Sequence, residues 1–269
     1  MRIRAGYEIV YEVPQPTPML LLLNVHSSRY QDLETPDIIR SAPTVRIDQY
    51  HDAFGNLCSR TLLPAGRTVL SSNFVIHDRG QPDPKRPEAI QHPVENLPNE
   101  TLVFLLASRY CETEHLSQLA WNLFGGIEPG WARVQAICDY THDRIRFGYQ
   151  HARPTKTAYE AHEERKGVCR DYAHLAITLC RCMNIPARYC TGYLGDIRVT
   201  PIAGPMDFSG WFEAYLGDGW HTFDARFNVP RVGRTLMARG RDATDVAITT
   251  AFGPNILAGF MVVTEELPS

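Results

Sequence analysis

The chain has no long apolar run, no excess of basic residues and no cysteine pattern that would pair, and each absence removes a class of function. Apolar runs such as Met19 to Leu23 fall far short of the ~20 residues a helix needs to cross a bilayer. Near the N-terminus, Arg2 and Arg4 are followed by Glu8 before any apolar stretch, so no secretory signal is expected there. Lys and Arg number 27 against 30 Asp and Glu, a formal net charge of −3, and no basic block interrupts that balance. Nucleic acid, whose binding calls for cations to displace phosphate counterions, is therefore not an expected partner, and neither is a membrane. The seven cysteines (58, 111, 138, 169, 180, 182 and 190) are odd in number, and 269 residues are enough to build a core without crosslinks. They read as the reduced thiols of a cytoplasmic protein. Cys180-Arg-Cys182 lacks a second ligand pair, and His162-Glu-Glu lacks the second histidine of a helical zinc site. Neither a metal nor another cofactor is expected. There is no internal repeat.

What is present is 44% hydrophobic and 21% charged, the balance of a globular protein with a substantial core. Residues 3 to 77 alternate in short apolar runs, Ile3–Val13, Met19–His26, Val45–Asp48, Leu57–Leu63 and Thr68–His77, parted by Pro, Asp, Gly and Asn. They predict a small all-β sandwich over residues 1–80, with a hairpin turn at Asp52–Asn56. Pro82, Pro84, Pro87, Pro93 and Pro98 then crowd a stretch that cannot be regular helix, and residues 81–100 are expected to form an extended linker. From residue 101 to 269 the period turns helical and then reverts to two. Helices are expected at Leu102–Tyr110, Ser117–Phe124, Trp131–Phe147, Thr157–Lys166 and Cys169–Met183, and strands at Ala187–Tyr193, Trp211–Leu216 and Trp220–Arg226. Gly217-Asp-Gly219 supplies a tight turn. Helices followed by an antiparallel sheet make an α+β domain.

The most informative segment is Lys166-Gly-Val-Cys169-Arg-Asp-Tyr-Ala, where a turn gives way to an apolar helix. The first N–H groups of a helix lack intrahelical acceptors and, with the helix dipole, favour negative charge. A thiol there is placed to ionise below its free value. Asp171 in the same turn is expected to cap the helix, at the cost of a negative charge near the sulfur.

The order Gly167-Val-Cys169-Arg-Asp-Tyr-Ala, then Trp211-Phe-Glu-Ala-Tyr, then Gly219-Trp-His-Thr-Phe-Asp224-Ala resembles the transglutaminase-like cysteine hydrolase and acyltransferase superfamily over about residues 100 to 260. The preceding β-domain is similar to that of the bacterial transglutaminase-like subgroup. The resemblance implies a papain-like transglutaminase core and a peptide or protein amide substrate. In that chemistry a cysteine attacks a carboxamide carbonyl, a histidine carries the proton to the leaving amine, and a carboxylate orients the histidine. Transfer of the acyl group to an amine is transglutamination; transfer to water is amidase or peptidase action.

Carried over residue by residue, Cys169 takes the nucleophile position and Asp224 that of the orienting carboxylate. The family's His-Ala-Trp-x-Glu-x-Tyr pattern reads Ser209-Gly-Trp211-Phe-Glu213-Ala-Tyr215 here, so Ser209 stands at the histidine position. A hydroxyl is no base near neutral pH. His221, three residues before Asp224, is the candidate replacement, yet strand alternation points it away from the Asp224 face unless a bulge intervenes. His174 is expected to pack, His162 to lie aside, and Trp211, Tyr215, Trp220 and Phe223 to be core aromatics more than a substrate groove. Arg231, Arg234, Arg239 and Arg241 are expected on a solvated, ion-paired face. Two functions stay open: a thiol enzyme acting on amide bonds, and a binding module that keeps the cleft and has lost the base.

Overall fold

A computed structural model describes residues 1–201 and 206–268. The N-terminal alternation folds into β1 (Arg2–Val13), β2 (Thr17–Leu21), β3 (Arg40–Ala42), β4 (Ile47–His51), β5 (Leu57–Leu63) and β6 (Gly66–His77). The Asp52–Asn56 turn joins β4 to β5 as expected. Asp52 Oδ1 accepts the N–H groups of Phe54 and Asn56 at 2.8 and 2.9 Å, and Gly55 sits at φ +79°. Ile3, Tyr7 and Ile9 of β1 meet Leu21, Leu63, Leu70 and Phe74 in one buried cluster that glues two sheets face to face.

The helical layer comprises α1 (Thr113–Phe124), α2 (Trp131–Arg144), the short β7 (Arg146–Phe147), α3 (Ala158–Glu164), β8 (Lys166–Gly167) and α4 (Cys169–Cys182). Thr157 caps α3 with a reciprocal Glu160 bond, the Ser/Thr-x-x-Glu signature of a helix start. The expected helix at Leu102–Tyr110 is absent: Asn99–Leu105 forms only a 3₁₀ run after Pro98, and the chain then turns irregularly. In α4 every residue from Asp171 to Cys182 is buried. Burying each of its Leu and Ile side chains stabilises by about 1.5–3 kcal/mol. Asn184 at φ +60° and Pro186 end it.

β9 (Ala187–Tyr193), β10 (Ser209–Leu216), β11 (Gly219–Phe223) and β12 (Thr235–Gly240) form an antiparallel sheet ordered β11-β10-β9-β12, with α4 packed on β10 and β9. The α+β arrangement read from the sequence is present.

The chain beyond Arg226 differs from the expected solvated face. β12 completes the core sheet, while β13 (Thr249–Ala251) and β14 (Ile256–Glu266) return to the N-terminal sheets, ordered β13-β2-β5-β4 and β14-β1-β6-β3. The N-terminal sheets are thus built from both ends of the chain. Tyr193, Phe208 and Met237 from the core side join the sandwich cluster, so the two units share packed apolar surface. The proline-rich stretch lies along the core: Asp83 N–H donates to Arg231 O, and Ala89 O accepts from Trp131 N–H, both at 2.9 Å. Among the described residues no helix is long and apolar enough to cross a membrane.

Candidate active site

Cys169 is the first residue of α4 and the only cysteine of the seven that is not buried. Its position is fixed from behind. Asp171 Oδ2 accepts the Val168 N–H at 2.8 Å and caps the helix, as its place in the sequence suggested. Glycine is required at 167, since a Cβ there would stand 2.7 Å from Asp171 Cβ.

The thiol meets the sheet where β10 has no β11 partner. Pairing of β10 with β11 starts at Phe212, which leaves Gly210 free on that side, and the Gly210 N–H is directed at the Cys169 sulfur. Burial pushes the Cys169 thiol above its ordinary value; the Arg226 guanidinium and the Gly210 N–H oppose that rise, and Asp207 and Asp224 add to it. The net direction is upward, against what the helix start alone favours. Desolvation beside two carboxylates outweighs it.

Arg226 follows the end of β11 and lies 3.8 Å over the Phe147 ring, while its carbonyl is held by His142 Nδ1 at 2.9 Å. Asp207 is half-buried, and its Oδ1 accepts the Phe208 N–H at 2.7 Å. Burial raises its carboxyl, against the Phe208 N–H and Arg226. Burial raises the Tyr149 hydroxyl; the Arg226 charge opposes that rise, and Asp207 and Cys169 add to it. Gly210 also makes room for Tyr189: a methyl at 210 would overlap Tyr189 Oη and sit 3.0 Å from its Cζ. The resembling pattern has alanine at this position; Tyr189 is the local reason this chain does not.

Ser209 is buried at the first position of β10, next to the amide that meets the thiol, so this position does lie at the site without carrying a base. Asp224 is also in the Cys169 surroundings, but its carboxylate is committed elsewhere. Oδ2 pairs with Arg234 at 2.8 Å, both side chains below a tenth exposed, and Oδ1 accepts the N–H groups of Arg226 and Phe227 at 3.0 and 3.1 Å. It shapes the turn that carries Arg226 and has no histidine to orient. Arg234 bonds Asp83 as well, so Arg231 and Arg234, expected on a solvated face, are instead buried.

The structure places His221 away from the Gly210 end of β10. It pairs opposite Ala214 near the hairpin turn, donates from Nε2 to Leu216 O at 3.0 Å, and packs edge-on against Trp131. Gly210 is four residues further along β10, a separation of about 13 Å at ~3.3 Å per residue. His174 packs between Tyr110 and Tyr189, as expected; burial depresses it to about 3, and its Nε2 accepts the Ala243 N–H at 3.1 Å. His162 bonds Tyr140 Oη at 2.8 Å, apart from the thiol. Of the four aromatics, Phe223 packs on Trp131 in the core, while Tyr215 and Trp220 pair with each other and Arg188 covers Trp220. Among the described residues no cluster of three His, Cys, Asp or Glu side chains is placed to hold a metal ion.

Sequence reasoning passed over Asp207, Arg226 and Gly210. The Gly for Ala at 210 was visible in the quoted pattern. Asp207 and Arg226 lie in irregular chain beside β10 and β11, where periodicity carries no signal.

Comparison with known proteins places this geometry. The model of the transglutaminase-like superfamily matches residues 117–225. An uncharacterised protein of Mycobacterium leprae, ML0607, is 35% identical over 91 residues, a match spanning 33% of this chain and 32% of that one. A solved protein from Cytophaga hutchinsonii, provisionally described as a cysteine protease, aligns over 100% of this chain and 91% of its own at TM-score 0.84 and 29% identity. The periplasmic domain of TgpA from Pseudomonas aeruginosa, bound to ethylmercury, aligns over 84% of this chain and 90% of its own at TM-score 0.41 and 15% identity. The helices and sheet that carry Cys169 are a papain-like transglutaminase core.

Proposed function

We propose that this chain, whose residues 117–225 match the transglutaminase-like superfamily, is a thiol enzyme that breaks amide bonds through Cys169, passing the acyl group to water or to an amine. One observation carries the reading. The sole cysteine that is not buried opens the core helix, where the Gly210 N–H meets its sulfur and the Arg226 charge opposes the rise that desolvation imposes on the thiol. Those two groups suit the anionic sulfur that leaves when a thioester is resolved, and Arg226 adds positive charge where a tetrahedral oxyanion forms. The substrate is a peptide or protein carboxamide, with no nucleic acid or membrane involved, and seven unpaired thiols support a reducing, cytoplasmic setting. The resemblance of the Cytophaga protein, described as a cysteine protease, supports hydrolysis.

The test is a glutaminyl carboxamide peptide incubated with and without an alkylamine. Ammonia release with amine incorporation marks transglutamination, release without it amidase action, and chain cleavage peptidase action. Each must vanish in Cys169→Ala. A parent that releases nothing above the Cys169→Ala background refutes the enzyme reading.

A second reading, a catalytically degenerate binding module, is favoured by Ser209 at the histidine position together with an Asp224 already neutralised by Arg234. On that reading Ser209→His creates amide hydrolysis in a parent that has none.

A further inference from the structure

We propose that a cavity on the back of the core sheet, the face turned away from α4, binds a small ligand bearing two negative charges, held by Arg239 and Arg79. It lies apart from the thiol. Side chains alternate along β10, so Phe212 and Ala214, which join the α4 cluster, leave Trp211 and Glu213 on the opposite face. Thr222 of β11 pairs with Glu213, and Arg239 of β12 lies in register with Cys190, itself the partner of Trp211. These residues floor a cavity of about 830 Å³ that side chains from segments 28–32 and 77–84 wall in.

Among the described residues five arginines and four carboxylates line it, and the way they pair points to a ligand. Every carboxylate already has an arginine. Asp32 accepts from Arg29 Nε at 2.5 Å, Asp78 lies 3.8 Å from Arg29 Nη2, Asp83 accepts from Arg234 at 2.8 Å, and Glu213 accepts from Arg188 at 2.6 Å. Arg231 is paired with Asp196 at 3.5 Å. That leaves Arg239 and Arg79 with no carboxylate among the described residues, and the remaining residues, 202–205 and 269, carry no charged side chain. Arg239 is half-buried; desolvation and then Arg188 push its guanidinium down, against Glu213 and Cys190. A charge taken that far from water is ordinarily paired. The same walls hold further donors: Arg234 Nη1 and Arg231 Nε are buried N–H groups that meet no acceptor among the described residues.

Two unpaired guanidiniums call for two negative charges. Arginine meets carboxylate or phosphate oxygens through two parallel N–H bonds, a geometry that a lone halide or a cation does not satisfy. Arg239 stands on the sheet floor and Arg79 on the exposed chain that follows β6. The ligand is therefore a dianion, with both charges on one phosphate or one at each end of a dicarboxylate, and it is bound without any bond being made or broken.

The experiment is calorimetric titration of the full chain at pH 8 with inorganic phosphate and, separately, with succinate, which distinguishes charges on one centre from charges on two. At least one of them should bind saturably, while acetate at matched ionic strength gives no saturable heat. Arg239→Met and Arg79→Met should each weaken that binding at least ~10-fold, the loss of one charge-assisted pair. Arg4→Met removes the same charge from a pair with Glu265 outside the cavity and should bind as the parent does. Arg79 is exposed, so its variant keeps the fold even where Arg239→Met does not. The proposal is overturned if neither dianion binds, if acetate binds as tightly, or if either folded cavity variant keeps the parent affinity. An equal loss in Arg4→Met, the mark of net charge alone, overturns it as well. No readout here involves Cys169, so the anion site and the thiol enzyme stand or fall separately.

Discussion

Gly210→Ala is the substitution whose consequence follows most directly from the geometry around Cys169. The added methyl overlaps Tyr189 Oη and stands 3.0 Å from Cζ. Tyr189 has little room to withdraw, because it is buried with the His174 ring 5.2 Å from its own. Overpacking of this kind costs about 1–3 kcal/mol, offset by roughly 0.4–1 kcal/mol from the smaller backbone entropy of alanine in the unfolded chain. A net loss of about 0.5–2 kcal/mol is expected, read as a lower urea midpoint at unchanged slope. The cause is isolated in a Tyr189→Phe background. There the hydroxyl is gone, the ring carbon needs to shift by only a few tenths of an ångström, and Gly210→Ala becomes near neutral. The expected coupling between the two substitutions is about 1 kcal/mol, within the usual span for residues in contact. Equal costs in both backgrounds, or a neutral Gly210→Ala in the parent, would refute the claim that Tyr189 dictates glycine beside the thiol.

Three further outcomes are expected. Arg234→Met strands the Asp224 and Asp83 carboxylates in a buried setting and lowers unfolding free energy by about 3–5 kcal/mol, whereas Arg241→Met, at a half-exposed pair with Asp245, costs below about 0.5 kcal/mol; similar urea midpoints for the two would contradict this. Because His174 is depressed to about 3 in the fold, the unfolded chain binds more protons below pH 6.5, so stability falls on acidification through that range. His174→Gln should flatten that slope by up to one proton per molecule, and an unchanged slope in equilibrium unfolding at successive pH values would count against it. Alkylation by iodoacetamide, mapped on peptides, should label Cys169 ahead of the six buried cysteines. Its pH midpoint should lie above that of free cysteine, since the thiol is pushed up; a midpoint below would mean the helix start dominates after all.

Much of this arrangement is legible in the chain because local chemistry announces it. Gly167 before an apolar run, Asn184 and Pro186 after it, and Gly217-Asp-Gly219 between two aromatic strands mark α4 and the β10–β11 hairpin without ambiguity. Thr157 with Glu160 marks α3 in the same way. What escapes is set by contacts across the sequence. The Arg234 and Asp83 side chains are 151 residues apart, so nothing local distinguishes a buried arginine from a solvated one. β14 pairs with the first strand of the chain, and its Phe260-Met-Val-Val-Thr run was the one signal available. Leu102–Tyr110 has helical spacing, but Pro98 and the packing of Phe104 on Trp220 draw it into a 3₁₀ run. Asp207 shows no periodicity, and the residue after it, Phe208, is anchored in the other unit's core.

The central claim is that Cys169 is the nucleophile, and trapping the acyl group tests it most directly. After brief reaction with p-nitrophenyl acetate and an acid quench, peptide mass mapping should find the acetyl group on Cys169, released by hydroxylamine as a thioester and absent from Cys169→Ala. Acetyl carried on another residue at the same rate, or no stable difference between parent and Cys169→Ala, would contradict the account.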